Sequence, residues 1–167
     1  LLYFQRLLER LGLGSQIGYA LELEQAYWSH FLSAASLRPQ VVEFLDDLRL
    51  NGVPAVAVTD LTAAIQFRKM LFWQLDRYLD WIVTSEEAGC EKPAHQVFEL
   101  ALAKLGGIEG SVWMIGDDAE ADIRGGKEAI DAVTIQIIGK GDSSTSSADV
   151  CISSFQELRM LLSSTLR

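Results

Sequence analysis

Val112-Trp113-Met114-Ile115 runs straight into Gly116 and two adjacent aspartates, Asp117 and Asp118, with a third, Asp122, four residues further on. A short apolar run stopped by glycine has the pattern of a strand buried in a parallel sheet. Carboxylates at the end of such a strand lie at the mouth of the sheet, where open α/β folds bind ligands. With a helix starting near Ala119, Asp122 follows Asp118 by about one turn and can face the same cleft. Three converging carboxylates repel one another unless a cation joins them. Hard oxygen ligands of this kind suit magnesium, with phosphate as its co-ligand. The same residues also make an ordinary turn and helix N-cap, where carboxylates favour the dipole, and this stretch alone leaves both readings open.

The remaining composition narrows the function classes. With 167 residues, 49% of them apolar, the chain is long enough for one well-cored globular domain and too short for two. A formal net charge of -9 argues against nucleic acid or an anionic membrane as partner, so an anionic ligand would need local donors and a metal. Cys90 and Cys151 lack metal-ligand spacing and fit buried or neutral thiols in a reducing cytoplasm. No apolar run reaches membrane-spanning length, and no signal-peptide pattern opens the chain. The first residues, Leu1 and Leu2, already lie inside an amphipathic pattern, which reads as a cut.

Residues 2–11 and 17–34 are expected to be helices, the first with Leu7, Leu8 and Leu11 on one face and ended by Gly12 and Gly14. No strand lies near them, so residues 1–36 read as a helical hairpin appended to residues 37–167. From Pro39 the pattern changes to alternating elements. Helices are expected over 40–51, 61–75, 94–105, from about 119 through 130, and 155–162. Strands are expected over 54–58, 81–83, 112–115, 132–138 and 149–152, with a Gly/Ser-rich loop at 139–147. Such alternation means parallel βαβ units: an α/β, doubly wound sheet. His30 sits among aromatics with no partner at ligand spacing and reads as a core or boundary histidine. Adjacent Asp46 and Asp47 in mid-helix read as solvated.

Two features fall beside the aspartates in such a sheet. Thr59-Asp60 ends the first strand and offers a hydroxyl and backbone N–H groups, a phosphate cradle in one reading and a helix N-cap in the other. Lys92, in Gly89-Cys90-Glu91-Lys92-Pro93, holds a cation at a helix start, against the dipole. It either serves an anionic ligand or is simply solvated. Taken in order, Thr59, Lys92 in Glu-Lys-Pro, and Gly116-Asp117-Asp118 with Asp122 resemble the second, third and fourth motifs of the haloacid dehalogenase-like hydrolases, over roughly residues 37–138. The resemblance implies a Rossmann-like core with a partial helical cap at 1–36, and phosphoryl transfer to water. It implies magnesium on Asp117, with Asp118 or Asp122 assisting. Phosphate would be bound by Thr59, Asp60 and Lys92, with Thr59 and Lys92 acting in catalysis by electrostatic stabilisation.

The family's first motif, two aspartates one residue apart at the end of an N-terminal strand, has no match here. A covalent phosphoenzyme needs that nucleophile. Its strand would lie between those ending at Thr59 and Ile115, and without it two half-sheets expose unpaired edges. A fragment of a longer protein, direct closure of the half-sheets, or a strand from a second copy in a homodimer would each answer this. The expected activity is that of a phosphatase on a small phosphorylated metabolite, impaired in this chain. A non-catalytic binding or assembly module and a 2-haloacid dehalogenase are the alternatives. A receiver-type signalling domain would place its acid pair at the first strand instead of after Lys92. Ile130-Asp131 departs from the glycine that usually ends this helix in the family.

Overall fold

A computed structural model of the chain describes residues 2–107, 110–139 and 147–166. All but the two ends of the expected Gly/Ser-rich loop lie outside the described residues. The chain divides into two compact units, Leu1–Leu37 and Arg38–Arg167. In the first, helix α1 (Leu2–Arg10) packs on helix α2 (Ile17–Ala34). Leu8, Ala20 and Leu32 are buried, and Phe4 meets the Tyr27 ring at 5.8 Å. Leu7 and Leu11, on the same expected face as Leu8, are exposed, because two helices share a single line of contact. His30 is exposed as well and is not a core histidine.

The second unit runs α3 (Val41–Leu50), β1 (Val56–Thr59), α4 (Ala63–Phe72), β2 (Trp81–Thr84), α5 (Ser85–Ala88), α6 (His95–Leu105), β3 (Trp113–Gly116), α7 (Gly125–Ile130), β4 (Val133–Ile137), β5 (Val150–Ile152) and α8 (Phe155–Thr165). This is the alternation read from the sequence, with two refinements. Ser85–Ala88 forms a short extra helix capped by the Thr84 hydroxyl. The helix expected after β3 is split into a π-helical turn, Ala119–Arg124, and α7. Asp131, where glycine was the expectation from the resemblance, takes the left-handed φ of 48°, which aspartate tolerates better than most residues.

All strand pairing among the described residues is parallel. β1 pairs with β2, Val56 opposite Trp81 and Thr59 opposite Thr84. β3, β4 and β5 form a second ladder, with Gly116 opposite Gln136. Among the described residues the two ladders do not pair with each other, so direct closure of the half-sheets is not what the chain adopts. Apolar packing does what backbone pairing does not. One cluster joins Phe44 and Leu48 of α3 to Ile135, Ile137, Ile152, Leu158 and Leu162. Val53 and Ala55 from the approach to β1 pack on it, as do Trp113 and Ile115 of β3. A second cluster, Val83, Val97 and Ala101, takes Val56 and Val58 of β1 from the other side.

Close approach of α7 explains the paired glycines that begin it. A β-carbon at Gly125 would sit 2.8 Å from the buried Phe98 ring of α6, and one at Gly126 would sit 2.6 Å from Met114 of β3. Polar links hold the outer elements. Arg159 of α8 donates to Asp47 of α3 at 2.6 Å, while Asp46 takes Arg49 at 2.9 Å, so the two aspartates expected to be solvated are both ion-paired. Asp149, just before β5, accepts from Lys127 at 2.7 Å and from the N–H and hydroxyl of Thr134. Those donors, Lys127 foremost, hold its carboxyl well below the usual carboxylate range.

Candidate active site

The carboxyl ends of β1 and β3 bring Thr59, Asp60, Asp117 and the π-helical turn to one side of the second unit, and Lys92 ties them together. Its ammonium donates to Asp122 Oδ1 at 2.6 Å and to the Val58 carbonyl of β1 at 3.3 Å. Its backbone N–H donates to Asp60 Oδ1 at 3.0 Å. Lys92 is therefore not a solvated lysine: its side chain is 12% exposed, and that of Asp122 is 8%. A buried charge persists when it is paired and hydrogen-bonded, and both conditions hold here.

Asp122 reaches this position through the local backbone. Both Asp122 and Ile123 donate their N–H groups to the Asp118 carbonyl, at 3.0 and 3.2 Å, and the second of these is the i→i+5 bond of a π turn. The widened turn folds Asp122 inward, where its Oδ2 also accepts the Asp118 N–H at 3.2 Å. A β-carbon at Gly116 would overlap the Asp122 side chain, so the glycine that ends β3 is there to admit this carboxylate. Asp118 is the N-cap of the turn, accepting from Glu120 at 2.9 Å and Ala121 at 2.8 Å. These two N–H groups hold its carboxyl below the usual range. Asp117 differs from both. Its side chain is 70% exposed, and its one described side-chain contact is Arg38 Nη2 at 3.4 Å. Among the described residues no three acidic, histidine or cysteine side chains come together to hold a metal ion.

On the β1 side, the Thr59 hydroxyl donates to the Asp60 carbonyl at 3.3 Å, which also accepts from the buried Gln66 amide at 2.6 Å. The next residue, Leu61, has a φ of 81°, an uncommon conformation for a branched side chain that turns the chain sharply away from the strand end. Helix α4 begins at Ala63, whose N–H is taken by Glu86 at 2.7 Å. Thr59 is thus not the N-cap of that helix; Thr62 stands there.

Two residues of the site escaped the sequence reading. Gln136 of β4 donates its amide to the Asp117 carbonyl at 3.0 Å, while its Oε1 is buried with no hydrogen-bond partner among the described residues. A glutamine inside the apolar run Val133-Thr134-Ile135-Gln136-Ile137 is a signal the sequence did offer, since a buried amide must find partners. Arg38, lying 79 residues before Asp117, offered none.

Comparison with known proteins shows the family and the fold. Residues 3–129 match a family model described as haloacid dehalogenase-like hydrolase. The chain is 44% identical over 124 residues to a ribulose-1,5-bisphosphate 5-phosphatase of Halopiger xanaduensis, covering 74% of this chain and 52% of that protein. It is 33% identical over 109 residues to the pyrimidine 5'-nucleotidase YjjG of Escherichia coli, covering 65% and 48%. The chain thus spans about half the length of these relatives. A crystal structure of a HAD phosphatase from Thermococcus onnurineus has the same fold, with a TM-score of 0.77 at 21% identity, over 95% of this chain and 86% of that one.

Proposed function

The chain belongs to the haloacid dehalogenase-like hydrolases, and from that membership we propose that it carries the phosphate- and metal-binding side of a magnesium-dependent phosphatase acting on a small phosphorylated metabolite. The observation that carries this reading is Lys92, a largely buried cation held between the Val58 carbonyl of β1 and Asp122 beyond β3. Such an arrangement places fixed positive charge where a phosphoryl group would meet the strand ends. Thr59 and the backbone at Asp60 donate to its oxygens. Lys92 offsets its charge, and Asp122 keeps Lys92 in place.

Magnesium needs only one or two carboxylates when water and substrate phosphate complete its shell. Asp117, exposed and fixed through its carbonyl by Gln136, fits that need. In this reading Asp118 and Asp122 assist from behind, the first by capping the turn and the second through Lys92. When bound, the ion supplies charge neutralisation at the phosphoryl oxygens. The relatives' names, a bisphosphate phosphatase and a nucleotidase, support phosphate-ester hydrolysis over removal of halide from a 2-haloacid, which uses no cation.

No Asp-x-Asp pair occurs in the 167 residues, so the chain has no match for the family's attacking carboxylate. This favours a second reading, a binding or assembly module that keeps the pocket without turnover. In the proposed architecture, residues 1–36 are part of a helical cap and 37–167 a core without its first strand. The open edges of β1 and β3 would accept a strand from a second copy. A monomer by light scattering at every concentration would remove the homodimer. The setting we propose is cytoplasmic: Cys90 and Cys151 are both free, and among the described residues no helix is long and apolar enough to cross a membrane.

The test is a pair of measurements on this chain and its Asp117→Asn variant. Neither is expected to hydrolyse p-nitrophenyl phosphate with magnesium. Magnesium with inorganic phosphate is expected to raise the melting temperature of the parent chain alone. At a hundredfold excess over the dissociation constant the gain is about 2.7 kcal/mol. Equal shifts in both proteins would overturn the metal reading, and turnover lost in the variant would overturn the expected inactivity.

A further inference from the structure

The three aspartates of the site are satisfied in three different ways. Asp118 is taken by backbone N–H groups and Asp122 by a buried lysine, both within 3.2 Å. Asp117 is held by an exposed arginine at 3.4 Å, with side chains 52% and 70% exposed. Exposed pairs of this kind are weak and easily broken. The carboxylate left on the loosest tether is also the one read above as the magnesium ligand. Arg38 therefore stays beside Asp117 until something displaces it. Once displaced, it presents a planar fork of N–H donors at the same mouth, a geometry suited to two phosphate oxygens at once.

We propose that Arg38 is an exchangeable counter-ion: it occupies Asp117 when no divalent cation is bound and, displaced by one, donates to the phosphate group. This rests on the reading of Asp117 as the metal ligand. It makes Arg38 a phosphate-binding residue that competes with the metal and cooperates with the anion. The two effects have opposite signs, which a merely structural arginine would not produce.

The experiment is calorimetric titration of the parent chain, Arg38→Gln and Arg49→Gln, first with magnesium chloride alone and then with inorganic phosphate at saturating magnesium. Arg49 faces Asp46 on α3, so its variant controls for the loss of one positive charge. Arg38→Gln is expected to bind magnesium alone about two- to fivefold more tightly than Arg49→Gln, the range that breaking an exposed pair produces. Its affinity for phosphate is expected to fall. Because Arg38 is exposed, the variant should keep its fold, which far-ultraviolet circular dichroism checks. Unchanged or weaker magnesium binding would overturn the exchange, as would undiminished phosphate binding. If the parent chain and Arg38→Gln both bind magnesium equally well, only the exchange fails. If neither binds it, the reading of Asp117 fails and the exchange with it.

Discussion

Replacing Lys92 with methionine is expected to destabilise the chain by about 3–5 kcal/mol, the cost of leaving one member of a buried ion pair alone. The remaining carboxylate, Asp122, is 8% exposed and would keep the Asp118 N–H as its described partner. Methionine matches the length of the stem, so packing along it is retained and the loss is electrostatic. The Val58 carbonyl loses its donor in the same step. Asp122→Asn should also destabilise, because an amide offers Lys92 a weaker acceptor. In the double variant the two losses should fall well short of their sum, since the partner each single change strands has been neutralised. Urea unfolding of the four proteins reads the coupling directly. Additive losses would mean that Lys92 and Asp122 stabilise the fold through separate contacts, and that the ion pair is incidental. Phosphate binding gives a second readout: it should vanish in Lys92→Met and survive, weakened, in Asp122→Asn.

Gly116→Ala is the second large effect. The change adds one methyl group, yet that group would overlap the Asp122 side chain at the end of β3. Neither neighbour can yield freely. Gly116 is fixed in register opposite Gln136, and Asp122 is held by Lys92 and by the Asp118 N–H. Inserting a methyl group into such a site costs about 1–3 kcal/mol through displaced neighbours. The functional loss should exceed the stability loss, because the displaced neighbour is the carboxylate that orients Lys92. At temperatures where Gly116→Ala remains folded, phosphate with magnesium should give little or no thermal shift. Substitution at Gly139, where a β-carbon meets nothing within 4 Å, is the matched control. A full thermal shift in Gly116→Ala would mean that the turn adjusts without moving Lys92.

The order and type of the elements were legible in the sequence because each short apolar run is bounded by glycine or a polar stop, and each helix carries its own periodicity. The same holds for Thr59, Lys92 and the three aspartates, whose spacing follows from where strands end. What the sequence hid was how those residues are partnered. Asp117, Asp118 and Asp122 look equivalent on paper. They separate only because a π turn, which has no sequence marker here, swings Asp122 toward Lys92 while Asp118 caps the turn. Arg38 meets Asp117 across 79 residues of chain, a distance at which local patterns carry no information. Leu7 and Leu11 share an apolar face with Leu8 yet stay exposed, because periodicity shows that a face is apolar, not how much of it a partner covers.

The two ladders give the site an unusual mechanical character. Thr59 and Asp60 hang from β1 and Asp117 from β3, and among the described residues no backbone hydrogen bond runs between those strands. Among the described polar contacts, the link from strand to strand end passes through one ammonium group on a flexible four-carbon stem. A ladder would act as a rigid ruler between the two halves; a lysine acts as a tether with slack. In the function proposed above, the spacing between Thr59 and Asp117 is then set by that tether and by the apolar core the two ladders share, and anything that pairs the open strand edges would tune the site without touching a residue in it.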